Sequence, residues 1–349
     1  YFQNSIMYTF KIEPYELEFL KPAKTSRNVF KNRKVYYIHL TDAKTGKTGV
    51  GEAAPLSLLS IDDVPNYEEI LHKKLTQFGE IGSIQDLDLD PFPSIRFGIE
   101  TALLSCAADK EERMYLTHFT EGKAKIPVNG LVWMNDAESM CEEALTKIAA
   151  GFDVIKFKVG ALDFDDECRM LEKIRKQYSS SNITLRVDAN GGFLPDEAME
   201  QLNELSRFEI HSIEQPIKTN LWDDMAKLSQ EGAIDIALDE ELIGVYSQQS
   251  REKMLDYICP QYLILKPNLI GGVKQADDWI GLARQREIGW WATSALESNV
   301  GLNAIAQWVS TYPVKLHQGL GTGGLFMNNL ETHLQLSEGQ MSYKVEPTL

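Results

Sequence analysis

Between residues 125 and 330 the chain alternates short apolar runs with longer stretches in which apolar positions recur every three or four residues. The runs IPVNGLVW, DVIKFKVG, ITLRVDAN, IHSIEQPI, IDIALDEEL, YLILKPNLI, IGWWATSALE and VKLHQGLG predict buried strands. FDDECRMLEKIRKQY, PDEAMEQLNELSRF, LWDDMAKLSQ and VKQADDWIGLARQR predict amphipathic helices between them. Strands that are apolar on both faces and joined by crossover helices pair in parallel, and eight of them suit a closed (β/α)8 barrel of the TIM type. An open doubly wound sheet is the competing architecture. Against it, no G-x-G-x-x-G follows an early strand.

The pattern upstream is different. YTFKIEPYELEF and VYYIHLTDAKTGKTGVGEAAPL read as β structure, the second turned back near Thr45 and Gly46, with the basic LKPAKTSRNVFKNRK expected as a flexible connector. VPNYEEILHKKLTQF and PSIRFGIETALLSCAADKEE then predict helices. The expected division is a tag-like remnant over 1–6 (YFQNSI) with the natural chain starting at Met7, an α+β unit over 7–124, the barrel over 125–330, and a tail over 331–349.

A net charge of -16 disfavours nucleic acid, whose binding needs a basic surface, and directs attention to small-molecule or metal chemistry. No apolar run approaches the roughly 20 residues of a membrane span, so no membrane partner is expected. Cys106, Cys141, Cys168 and Cys259 lack C-x-x-C spacing and are expected as reduced thiols of a cytoplasmic protein.

Charge inside the predicted strands changes the picture most. Lys158, Asp188, Glu214, Asp239 and Lys266 follow one another at intervals of 25 to 30 residues, one per βα unit, each towards the end of its strand. Barrel strands end at the face where sites are built, so these five side chains would form an arc around one mouth. Three carboxylates brought together repel one another unless a cation lies between them. An oxygen-only set without His or Cys predicts Mg²⁺, with Mn²⁺ as a substitute, rather than zinc. A lysine beside such a cation can serve as a general base, and the whole set suits removal of a proton next to a carboxylate. Individually the residues have plainer readings. Asp188 alone is good turn chemistry before Asn190 and Gly191, and Glu240 and Glu241 read as a solvated or supporting pair. His317 is the one histidine expected near the mouth.

The combination of KFK, RVDANGGF, IEQP, LDEE and LILKP resembles the muconate-lactonizing branch of the enolase superfamily, whose sites pair a lysine base with Mg²⁺. GVGEAAPL and RFGIETALL resemble that superfamily's N-terminal capping domain, so the resemblance implies a modified (β/α)7β barrel under an α+β cap, with residues 331–349 packing back on the cap. SALESNVGLNAIAQW and HQGLGTGGLF look most like the branch's dehydratases, which eliminate water from a succinyl-substituted hydroxycyclohexadiene carboxylate on the route to menaquinone. By position, the resemblance makes Lys158 the base, which also returns the proton to the departing hydroxyl. Lys266 becomes the cation facing the enediolate, and Asp188, Glu214 and Asp239 the Mg²⁺ ligands. Lys156 would help hold the substrate carboxylate and repel a proton from Lys158. Asn190, Ser294 and Arg27 are further substrate contacts, Arg186 lies at or beneath the site, and Arg27 and Arg33 belong to a lid. Asp239-Glu240-Glu241 departs from the Asp-Glu-Ser usual in the family. The alternative on the same scaffold is an N-acylamino-acid racemase or dipeptide epimerase. Those epimerases carry Asp-x-Asp on the last strand, whereas residues 317–324 contain no carboxylate. A small carboxylate is the expected partner, and the oligomeric state is left open.

Overall fold

The computed structural model describes residues 6–25, 28–109 and 112–345. Strands β1 (Tyr8–Lys24), β2 (Val29–Asp42) and β3 (Thr48–Ala53) form an antiparallel sheet in that order. Side chains on β2 alternate between two cores, as strand geometry requires. Tyr36, Ile38 and Leu40 pack on α1 (Tyr67–Ile81) and α2 (Pro93–Ala107), while Val35 and Tyr37 join the cluster that continues into the barrel. The basic connector expected between β1 and β2 is instead part of a long hairpin, with Lys24 paired to Val29. Arg27, expected as a substrate contact, lies outside the described residues.

The glycines of GVGEAA have a steric cause. A Cβ on Gly51 would lie 2.0 Å from the Gly98 carbonyl oxygen, and one on Gly49 2.1 Å from the Cys106 nitrogen, so β3 can lie on α2 only without side chains there. Gly51→Ala is expected to lower stability by at least about 3 kcal/mol, above the usual cost of overpacking because the clash is with backbone. Soluble yield and the thermal midpoint check this; a wild-type midpoint would refute it.

The second unit alternates strand and helix: β4 (Ile126–Pro127), β5 (Gly130–Val132), α3 (Ala137–Ala149), β6 (Val154–Lys158), α4 (Phe164–Gln177), β7 (Thr184–Asp188), α5 (Pro195–Ser206), β8 (Ile210–Glu214), α6 (Trp222–Glu231), β9 (Ile236–Leu238), α7 (Gln248–Ile258), β10 (Tyr262–Leu265), α8 (Pro267–Ile270), α9 (Gly272–Gln285), β11 (Gly289–Ala292) and α10 (Asn299–Val309). β5 to β11 form a parallel sheet in sequence order. The expected eighth strand, VKLHQGLG, is reduced to two isolated bridges, Gln318 to Val128 and Gly319 to Thr293. Those bridges still close the ring: the Gln318 nitrogen donates to Pro127 and the Gly319 nitrogen to Ala292, both at 2.8 Å. Among the described residues, no helix is long and apolar enough to cross a membrane.

The tail takes a different course from a simple return to the cap. β12 (Leu334–Ser337) and β13 (Gln340–Tyr343) make a hairpin that pairs with β4, where the barrel begins. Contact with the N-terminal sheet comes just before it, where Phe326 packs on Phe19 and the Met327 nitrogen donates to Glu18.

Buried polar groups join the two units. Glu52 of β3 accepts from the Ser298 nitrogen, the Ser298 hydroxyl and the Gly301 nitrogen at 2.6–2.8 Å, so it caps α10 from outside. Glu100 of α2 accepts from the Val273 nitrogen at 2.6 Å near the start of α9. Arg33 is buried as well, its guanidinium donating to the carbonyls of Ala54, Pro55, Ala295 and Leu296. It is therefore a brace between units and neither a solvated connector residue nor the lid residue that the capping-domain resemblance implies.

Burial pushes the Glu52 carboxyl up to about 7 despite its three donors. Its neutral form is thus favoured on folding. The associated stability is fully present below the unfolded value of 4.5 and is lost as pH rises through about 7. Glu52→Gln, which cannot ionise, should gain about 3 kcal/mol relative to wild type across that window. Parallel thermal melts of the two proteins at several pH values test it, and a gap that does not move with pH would sink it.

Candidate active site

The strand register assembles the site. Lys158, Asp188 and Glu214 are direct neighbours across β6, β7 and β8, and Glu214 pairs with Ala237 of β9, two residues before Asp239. Residues in register on parallel strands point to the same side, so these side chains enter the barrel at one level near its C-terminal end. One layer down, Lys156, Arg186 and Ser212 are also in register.

Ligand oxygens of Asp188, Glu214 and Asp239 all lie within 4.8 Å of one another, and the three residues are buried. Each carboxylate has a lysine partner. Lys158 Nζ is 2.6 Å from Asp188 Oδ2, Lys156 Nζ is 2.8 and 3.0 Å from the two oxygens of Glu214, and Lys266 Nζ contacts Asp239 Oδ2. Burial works against charge on Lys156 and Lys266, but the surrounding carboxylates hold both above the ordinary lysine range. Burial would likewise raise Asp188, yet Lys158, Lys156 and Lys266 hold it far below the ordinary carboxylate range. Glu214 goes the other way, pushed up by burial and by the charges of Asp188 and Asp239 more than Lys156 pulls it down. A close set of oxygen donors, one of them reluctant to ionise beside its neighbours, suits a hard divalent cation.

Asn190 follows Asp188 at the mouth with φ +46°, a left-handed conformation that asparagine tolerates. Its Oδ1 accepts from Lys158 Nζ at 3.0 Å and its Nδ2 donates to Glu240 Oε1 at 3.0 Å. Gln215, with φ +35°, holds the next loop: its Oε1 accepts from the Asp239 and Glu241 nitrogens and its Nε2 donates to Ile217 and Glu241. Glu240 and Glu241 are therefore buried and not solvated. Glu240 faces the cavity, whereas Glu241 ties down the Asn220 nitrogen and the Trp222 indole.

One cavity brings Lys156, Lys158, Lys266, Asn190, Glu240 and Ser294 together. Its remaining walls are largely apolar, from Phe30, Leu56, Leu59, Leu131, Trp133 and Leu296, and the hairpin tip contributes Thr25 and Asn28. Ser294 is less available than its position suggests, because its hydroxyl donates to Glu297 at 2.6 Å. Arg186 braces the layer beneath the site, and His317 lies elsewhere. Arg186 stacks on the Trp291 ring 3.9 Å from its centroid and donates to the His317 carbonyl. His317 itself stands 2.7 Å from Asp153, just before β6 starts, and so occupies the opposite end of the barrel from the mouth. Trp133, Asn129, Thr293 and Thr322 line the cavity without having been singled out in sequence. All four stand at or just past predicted strands, which is the one signal that marks them.

The sequence profile described as "Enolase C-terminal domain-like" matches residues 139–345. The chain belongs to the enolase superfamily. It is 41% identical to the o-succinylbenzoate synthase of Desulfotalea psychrophila, over 93% of this chain and 96% of that protein. The crystal structure of MenC from the same organism superposes with a TM-score of 0.83 at 37% identity, covering 96% of this chain and 99% of the other. A dipeptide epimerase from Cytophaga hutchinsonii, solved with Mg and a dipeptide, has a TM-score of 0.81 at 22% identity over 97% and 93% of the two chains, a likeness of fold.

Proposed function

We propose that this protein is a Mg²⁺-dependent hydro-lyase that forms o-succinylbenzoate from 2-succinyl-6-hydroxy-2,4-cyclohexadiene-1-carboxylate, a cytoplasmic step of menaquinone biosynthesis. The observation that carries the reading is one cavity with largely apolar walls whose three lysines, Lys156, Lys158 and Lys266, each contact one of three clustered buried carboxylates, supported by the 41% identity to an o-succinylbenzoate synthase.

Asp188, Glu214 and Asp239 would hold Mg²⁺, or Mn²⁺ in its place. When bound, the metal supplies a fixed positive charge opposite the substrate carboxylate. Lys158 takes the α-proton as its free amine, and the electron pair of the broken C–H bond moves into the carboxylate to give an enediolate. Lys266, across the ring of strands, faces that developing charge. The electrons then return to form the ring double bond as the C–O bond breaks, and Lys158 delivers its proton to the departing hydroxyl on the same face, releasing water. Asn190 holds Lys158 on line, and Lys156 keeps Glu214 in place beneath. Leu131, Trp133 and Leu296 exclude water and sandwich the ring.

The alternative, racemisation or epimerisation of an N-acyl amino acid or dipeptide, starts with the same proton abstraction and could use Lys158 and Lys266 on opposite faces. A spectrophotometric assay of the cyclohexadiene substrate beside a panel of N-acyl amino acids and dipeptides separates the two. Dehydration should dominate; racemisation or epimerisation without dehydration would replace the proposal.

A further inference from the structure

Three buried polar atoms on the cavity wall have no hydrogen-bond partner in the protein: Asn129 Oδ1, Thr293 Oγ1 and Thr322 Oγ1. All belong to the seam where residues 318 and 319 close the barrel. The Asn129 nitrogen donates to the Gln318 carbonyl at 3.0 Å, and Thr293 bridges Gly319. Gly319 packs directly on the Thr293 hydroxyl, since a Cβ there would come within 2.5 Å of Oγ1. Thr322 follows Gly321, itself packed over Asn129, where a Cβ would lie 3.6 Å from the Asn129 carbonyl oxygen.

The strand order sets where this seam lies relative to the chemistry. Counting β5 as the first of eight, the metal-ligand candidates come from the third, fourth and fifth strands, and Lys158 and Lys266 from the second and sixth. The seam is made by the seventh, eighth and first, so it stands across the ring from the carboxylates. Buried polar groups without partners are costly to keep, and on a cavity wall hydroxyls and an amide NH₂ can donate to the oxygens of a ligand.

We propose that Asn129, Thr293 and Thr322 are specificity-determining residues: they hold the oxygen-bearing arm of the substrate, its succinyl group, through neutral hydrogen bonds while the lysines and carboxylates hold the reacting end. This rests on the o-succinylbenzoate reading. The arm supplies a ketone and a carboxylate, which accept from the two threonine hydroxyls, and the Asn129 amide turns to donate.

Calorimetric titration of the Mg²⁺-loaded protein with o-succinylbenzoate, and with benzoate as the ligand that keeps the ring carboxylate and lacks the arm, tests this. Thr293→Val and Thr322→Val should each weaken o-succinylbenzoate by about tenfold and together by about a hundredfold, the worth of one hydrogen bond apiece, with benzoate changed by less than about twofold. Thr293→Ser and Thr322→Ser, which keep the hydroxyl, should retain wild-type affinity and provide the reading if a valine variant fails to fold. Undiminished o-succinylbenzoate affinity in the double valine variant, equal loss for both ligands, or loss in the serine variants overturns the proposal. Turnover of the cyclohexadiene by wild type separates the two levels. Dehydration with undiminished product binding in the valine variants refutes the seam alone. Arm-dependent losses in a protein that does not dehydrate refute the reaction and leave the seam standing.

Discussion

Lys158→Ala is expected to lower kcat by at least about 10⁴-fold, the upper range for loss of a general acid–base group, because here one amine both takes the proton and returns it. The fold should survive. Lys158 is the last residue of β6, and it lines the cavity with its ammonium bonded to Asn190 and Asp188, so truncation removes no apolar core contact of the strand. Divalent-cation affinity should be kept or rise, since a positive neighbour of Asp188 has gone. Steady-state kinetics beside calorimetric Mg²⁺ titration gives both numbers. Turnover within tenfold of wild type would remove Lys158 as the base, while a joint loss of metal binding would mean that it serves the fold of the site.

The second large effect is metal removal. Excess EDTA should abolish turnover, and Mg²⁺ should restore it, with Mn²⁺ as a working substitute. The three carboxylates come from three neighbouring strands and are buried to within 2% exposure. Without a cation they are paired with Lys156, Lys158 and Lys266, of which Lys158 and Lys266 are the amines assigned to the chemistry. The melt should therefore change little while activity disappears, and full activity in excess chelator would end the assignment of Asp188, Glu214 and Asp239. Restoring the ion to Glu214→Gln should recover far less than it does in wild type, because an amide brings no charge to the set.

The architecture was legible because strand and helix periods differ and alternate cleanly over most of the barrel. The five charged positions were legible because one falls in each successive βα unit, and the register of β6, β7 and β8 turns that spacing into adjacency. Elements without a period were harder. α10 is buried on every side from Gly301 to Val309, and its polar stripe of Asn299, Asn303 and Gln307 carries no charge to mark a solvent-facing side. VKLHQGLG reads as a strand by composition, but only Gln318 and Gly319 form bridges, and its glycines face close neighbours. The basic connector misleads for another reason: charged residues on the exposed face of a long hairpin look in sequence like a solvated loop, and only pairing partners distant in the chain reveal the strands. Arg33 shows the same limit, since its burial depends on carbonyls from residues 295 and 296. Asn129, Thr293 and Thr322 escaped because a lone threonine or asparagine near a strand end is common everywhere.

The way the barrel closes has an evolutionary consequence. Slipping β6, β7 or β8 by one residue would turn the charged side chains away from the interior, so that part of the ring tolerates little change. The closing segment is held by two bridges and carries no regular ladder, so outside the tightly packed Gly319 its side chains can change while the register of the other seven strands stays as it is. Descendants of such a fold can keep one proton-abstracting apparatus and acquire new substrates through a handful of substitutions at the eighth position of the ring.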